Sequence, residues 1–138
     1  MSEQQRVVVG VDGSADSTAA LEWAEHFAGQ TGAPLLLVTT WEQPVEYGVP
    51  APWPAGYRPD KTARAVVEKA RAHLGNTPVP VEITVREGRA GRVLVDIADH
   101  SAALVVGSQG HGALAEAVLG SVSAYCVRHA HCPVVVVR

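Results

Sequence analysis

The sequence predicts an α/β fold: a single-domain open sheet of five parallel strands with helices on both faces. Three observations carry this. Short apolar runs alternate with stretches of helical period in the order β-α-β-α-β-α-β-α-β, which requires right-handed crossovers and a parallel sheet. Several of the runs are apolar throughout, as strands covered on both faces are. The chain is 47% hydrophobic but only 5% aromatic, so its core must be built from Val, Leu, Ile and Ala. Its 138 residues suit one domain spanning 1–138, large enough to bury roughly two thirds of the surface an unfolded chain exposes.

The elements follow in order. Val7 to Val11 is an apolar strand signal interrupted only by Gly10, and Asp12-Gly13-Ser14 after it reads as a turn and helix cap. Ala20, Leu21, Ala24, Phe27 and Ala28 then recur at helical spacing until Gly29 and Gly32 end the pattern. Leu35 to Trp41 is a second buried strand. Residues 42–59 hold Pro44, Pro50, Pro52, Pro54 and Pro59 together with Tyr47, Trp53 and Tyr57, and follow neither period. They read as one long loop, either an exposed connection whose aromatics pack back on the body or a lid or contact surface.

Asp60 is placed to cap a helix whose face is Ala63, Val66, Val67, Ala70 and Leu74, closed by Gly75-Asn76. Beyond Pro78 and Pro80, Val81, Ile83 and Val85 alternate with Glu82, Thr84 and Arg86. That is a strand with one wet face, and hence an edge. Val93, Leu94, Ile97 and Ala98 share a helical face within 89–100, Ala103 to Val106 forms the fourth strand, 121–130 the last helix, and Pro133 to Arg138 the last strand.

The formal net charge is −3, with Lys and Arg scattered, so no basic stripe offers itself to nucleic acid or an anionic membrane. The first ten residues lack the apolar core of a secretory signal, and no run approaches the ~20 residues of a membrane span; the expected compartment is the cytoplasm. Cys126 and Cys132 form no C-x-x-C pair and are expected to be free thiols there. With His129 and His131 between them a metal cluster is conceivable, but zinc sites favour tighter paired spacings. Cys126 reads more simply as a small hydrophobe on a helix face. Arg128, His129 and His131 complement the negative end of that helix, and Pro133 stops it. No metal site is assigned.

The stretch of residues 107–123, GSQGHGALAEAVLGSVS, follows directly on the apolar fourth strand. Gly107, Gly110, Gly120 and Ser121 realise the spacing G-x-x-G-x9-G-S, with Gly112 adding a further glycine. This sets a glycine-rich turn opposite the start of a helix. Backbone N–H groups there can face an anion without any lysine, because a helix N-terminus carries about half a positive charge. The hydroxyls of Ser121 and Ser123 and the ring of His111 would add donors. The plainer alternative is a strand-to-helix turn with Ser121 as N-cap. Neither G-x-x-x-x-G-K-[ST] nor G-x-G-x-x-G after the first strand is present.

Gly10-Val11-Asp12-Gly13-Ser14 ends the first strand on the side where open parallel sheets bind ligands. Asp12 would repel phosphate, so it belongs near the other end of a ligand, accepting from an amine or ribose hydroxyls; capping the turn is its alternative role. Thr40, near the end of the second strand, would line the pocket beside it.

These residues together resemble the universal stress protein family. VVVGVDGS at the start, LLLV in the second strand, VVGSQGHG, the G-x-x-G-x9-G-S spacing and the closing CPVVVV carry the resemblance, which covers essentially the whole chain. It implies a Rossmann-like sheet in the order 3-2-1-4-5, commonly a homodimer, and the ATP-binding branch of the family, whose members hold this glycine pattern. By position it suggests Gly10, Val11, Asp12 and Thr40 around adenine and its ribose. Val106, Gly107, Gly110, Gly120, Ser121, Val122 and Ser123 would lie around ribose and phosphates. Position 111 is His where some members place a longer basic residue nearby.

In that strand order the apolar PVVVVR lies at an edge, and an unpaired apolar edge invites another strand. Val134 to Val137 is therefore expected to meet its copy across a two-fold axis. Three functions follow as expectations: an ATP-binding sensor or regulator in stress response, with Mg2+ bridging the phosphates; a slow ATPase; or a nucleotide-free dimeric module that presents Trp53 and Tyr57. Hydrolysis needs cations to neutralise the transferred phosphoryl group, and 107–123 holds no Lys or Arg. A nucleotide binder is thus expected over an efficient enzyme.

Overall fold

A computed structural model describes residues 5–43, 45–109 and 119–138. In chain order the elements are β1 (Val7–Gly10), α1 (Ala15–Thr31), β2 (Leu35–Trp41), β3 (Val45–Glu46), β4 (Val49–Pro50), α2 (Pro59–His73), β5 (Val81–Glu87), α3 (Ala90–Ile97), β6 (Ala103–Gly107), α4 (Ser121–His129) and β7 (Val134–Val137). The main sheet is parallel throughout, in the order β5-β2-β1-β6-β7. Counting only its own five strands, that is the expected 3-2-1-4-5. The expected edge strand, β5, lies at one rim and the apolar β7 at the other.

Alternate residues of each strand enter opposite layers. Val7, Val9, Leu35, Leu37 and Val105 pack with Ala20, Leu21, Ala24 and Ala28 of α1 and Val67 of α2. Val8, Leu36, Val38, Leu104 and Val106 pack with Leu94 of α3 and Cys126 of α4. Small alanines along α1 let that helix lie close against strands built from Val and Leu, the composition the sparse aromatics demand.

The segment expected to be one irregular loop contains a short antiparallel hairpin, β3 against β4. Its turn residues Tyr47 and Gly48 have φ of 52° and 79°, the paired positive values that a tight two-residue hairpin turn requires. The usual signal for such a turn is Asn-Gly or Asp-Gly, and Tyr-Gly hid it. Trp53 then meets Trp41 edge-on at 5.7 Å and Tyr57 at 6.3 Å, with the Arg58 guanidinium over its ring. Trp53 packs back on the body through Trp41, while Tyr57 is 46% exposed beside it and Tyr47 is 97% exposed at the hairpin tip.

The start of α2 differs from expectation, whereas α4 begins at Ser121 as expected. Asp60 is not the cap of α2: Arg58 holds that position, Pro59 occupies the first turn, and Asp60 pairs with Arg58 at 3.2 Å. Proline is preorganised for the first helical position, so the helix begins before the residue best suited to cap it. The guanidinium beside Asp60 holds its carboxyl below the usual range. In α4 the cap is Gly120, and Ser121 is the first helical residue.

Cys126 is fully buried in the second layer, and that burial, followed by the nearby Cys132, pushes its thiol from 9.0 up to about 11. A folded-state pKa raised above the unfolded value means that the folded protein holds its proton longer. This contribution to stability is complete below pH 9 and is lost as pH rises toward 11. Urea midpoints measured from pH 8.5 to 11 are expected to fall across that window, and Cys126→Ala to remove part of the decline. A slope identical in the variant would contradict this. Among the described residues, no three His, Cys, Asp or Glu side chains come together as a metal site, and no helix is long and apolar enough to cross a membrane.

Candidate functional site

The chain winds outward from β1 through β2 to β5, then returns to β6 on the other side of β1 and continues to β7. The reversal falls between β1 and β6, whose last residues are Gly10 and Gly107. Helices leave these two strands in opposite directions, so a crevice opens there by topology alone. It is a cavity of about 520 Å³.

Of the residues expected at the site, Gly10, Val11, Asp12, Thr40, Val106, Gly107, Gly120, Ser121, Val122 and Ser123 all line this one cavity. Gly110, His111 and Gly112 lie outside the described residues. Lining residues that the sequence did not assign to the site include Ser17 of α1, Val38 and Thr39 of β2, Thr62, Ala63 and Val66 of α2, Ala90 and Leu94 of α3, and Ser108 and Gln109. The apolar stripe of α2 was readable, but not that its first turns border the cavity as well as the core.

After β1 the lining holds Asp12, the sole ionisable carboxylate among the described lining residues. Its Oδ1 accepts from the N–H of Ser14 at 2.9 Å and from its hydroxyl at 2.6 Å, and its own N–H donates to Ser17 Oγ at 3.1 Å. Ser14 is the N-cap of α1, accepting from the Ser17 N–H at 3.2 Å. Capping therefore falls to Ser14, and Asp12 organises the turn while remaining on the cavity wall. Behind it the buried Thr39 donates to the Val11 carbonyl at 2.9 Å and ties β2 to the loop after β1.

The same cavity is lined by the start of α4. The first intrahelical bond there is from Ala124 N–H to Gly120 O, so the N–H groups of Ser121, Val122 and Ser123 have no partner within the helix. All three residues face the cavity, and Gly120, having no side chain, supplies no cap in their place. The hydroxyl of Ser123, expected to serve a ligand, donates instead to the carbonyls of Ser108 at 2.9 Å and Gly120 at 3.1 Å, and Ser123 is 1% exposed. Ser121 is exposed and keeps its expected position.

Val38, Val66, Leu94 and Val106 supply apolar wall to the same cavity. The arrangement suits a ligand with a flat apolar middle, amine or hydroxyl groups for the carboxylate, and an anion for the helix N-terminus.

An open, doubly wound α/β protein with its crevice at the switch point is the class these features define. The universal stress protein family model matches residues 4–138, and the chain belongs to that family. A universal stress protein of Mycolicibacterium smegmatis is 36% identical over 144 residues, covering 96% of this chain and 47% of that protein. The chain spans about half the length of the curated relatives it matches. Among solved structures, a universal stress protein in complex with cAMP superposes with a TM-score of 0.74 at 27% identity, over 97% of each chain. The Archaeoglobus fulgidus protein in complex with dAMP gives 0.71 at 20% identity, over 97% of this chain and 98% of that one, a likeness of fold.

Proposed function

We propose that the cavity binds an adenine nucleotide and that the protein acts as a nucleotide-dependent sensor or regulator in stress response. Gly10, Val11, Asp12 and Thr40 would surround adenine and ribose. Val106, Gly107, Gly120, Ser121, Val122 and Ser123, with Gly110, His111 and Gly112 of the glycine stretch, would surround ribose and phosphates. The reading rests on one observation above all: a carboxylate and a helix N-terminus without a side-chain cap line the same cavity at the switch point. The cAMP complex of a 27% identical relative supports it.

ATP is the ligand the glycine pattern suggests. Mg2+ would then be held mainly through the phosphates, since no acidic cluster stands ready among the described residues. Mass spectrometry of small molecules released from freshly purified protein, followed by calorimetric titration with ATP, ADP, AMP and cAMP, tests the reading. Saturable binding of at least one of them is the expected result, and no binding at millimolar concentration would favour a nucleotide-free interaction module.

Turnover is expected to lie far below the ~10 s⁻¹ typical of enzymes, because Asp12 is the only charged side chain among the described lining residues and carries the wrong sign to neutralise a transferring phosphoryl group. A steady-state phosphate-release assay reaching that rate would reverse the assignment.

The protein is further proposed to form a homodimer through β7. That rim strand consists of four valines, none of them fully buried in the single chain, and among the described residues its outer edge has no partner strand. Sedimentation equilibrium at micromolar concentration is expected to return twice the 14.5 kDa chain mass; a monomer would remove the proposal.

A further inference from the structure

We propose that Asp16 is a positioning residue that sets the shape of the phosphate end of the cavity from outside it; this deepens the nucleotide reading above and rests on it. Asp16 lies in the first turn of α1 and does not line the cavity. Its Oδ2 accepts from the Ser108 hydroxyl at 2.9 Å and from the Gln109 N–H at 3.2 Å, bonds that span more than ninety residues of chain.

The peptide unit joining Ser108 to Gln109 is held at both ends. Its N–H points to the Asp16 carboxylate, while its carbonyl, the Ser108 oxygen, accepts from Gly120 N–H at 2.7 Å and from Ser123 Oγ at 2.9 Å. A peptide unit is planar, so fixing its two polar ends on α1 and α4 fixes its plane. Through the Gly120 N–H and Ser123 Oγ that plane ties the end of β6 to the start of α4, where the phosphates are proposed to lie.

Neighbouring groups reinforce the clamp. Ser108 N–H donates to the Val137 carbonyl at 2.7 Å, which completes the main-chain bonding of this residue. A side chain on Gly107 would stand 2.8 Å from the Asp16 carbonyl carbon, so strand end and helix start are already in contact. The Asp16 charge is balanced by two donors and by the positive end of α1, and bonds to an ionised acceptor are the stronger kind. Asp12, by contrast, is held by Ser14 and Ser17. Loss of the Asp16 clamp should therefore be felt at the phosphates and not at the adenosine end.

The test is a calorimetric ladder of adenosine, AMP and Mg2+-ATP on the wild-type protein and on Asp16→Ala, Asp16→Asn and Ser108→Ala, with urea unfolding to confirm each fold. Asp16→Ala is expected to bind AMP about tenfold more weakly and ATP more weakly still, the scale of losing bonds to a charged group, with adenosine unchanged. Asp16→Asn, which keeps one acceptor oxygen, should recover part of the loss, and the Gln109 amide should exchange with deuterium faster in Asp16→Ala than in wild type. Ser108→Ala and Asp16→Asn carry the test if Asp16→Ala fails to fold. Equal losses for adenosine and ATP would reduce Asp16 to a structural role, and an unchanged ladder would overturn the clamp while leaving the nucleotide reading intact. Wild-type protein that binds none of the three sinks that reading and this one with it.

Discussion

Gly107→Ala is expected to lower the free energy of unfolding by about 1–3 kcal/mol, the usual cost of forcing extra atoms into a packed site. A methyl group there would meet the Asp16 carbonyl carbon at 2.8 Å and its oxygen and Cβ at 2.9 Å. Main chain cannot step aside as a side chain does, so β6 and α1 must separate. Gly10→Ala supplies the contrast. Its added methyl would lie 2.8 Å from a terminal methyl of Leu94, and that side chain can rotate away for less than about 1.5 kcal/mol. Because Leu94 lines the cavity, Gly10→Ala is expected to weaken ligand binding more than folding. Urea unfolding of both variants checks the pair. Equal stability losses would show that the α1 main chain yields as readily as a leucine side chain.

The second large effect is on binding. Asp12→Ala is expected to weaken adenine nucleotide affinity by about 10- to 100-fold, the range for removing hydrogen bonds to a charged group. The loss should be similar for AMP and ATP, because the adenosine moiety that Asp12 is proposed to contact is common to both. Asp12→Asn keeps an acceptor for the Ser14 N–H and should fold normally, which separates the loss of charge from the loss of the turn. Titrations that leave both variants within twofold of wild type would remove Asp12 from the site.

Much of this was readable from residue order because the governing patterns are local. Unbroken valine and leucine runs marked β1, β2, β6 and β7 as strands, and the Val81, Ile83, Val85 alternation put β5 at a rim. The strand order came from the family resemblance. Glycines at the ends of β1 and β6 pointed to the crevice, and every expected site residue among those described borders it.

What stayed hidden depends on long-range contact. Nothing near position 16 says that its carboxylate will meet Ser108, and nothing in Ser123 says that its hydroxyl will turn inward to a carbonyl fifteen residues back. The hairpin at Tyr47-Gly48 escaped notice because its turn uses positive φ at a residue that seldom adopts it. The start of α2 moved because proline geometry outweighed the capping preference of Asp60.

The pairing of Val137 with Gly107 also decides where the polypeptide leaves the sheet. The strands run parallel, so the main chain at Arg138 emerges level with the crevice mouth and not at the far pole of the molecule. A dye placed at position 138 would thus sit beside the cavity mouth, well placed to report occupancy and equally well placed to obstruct it.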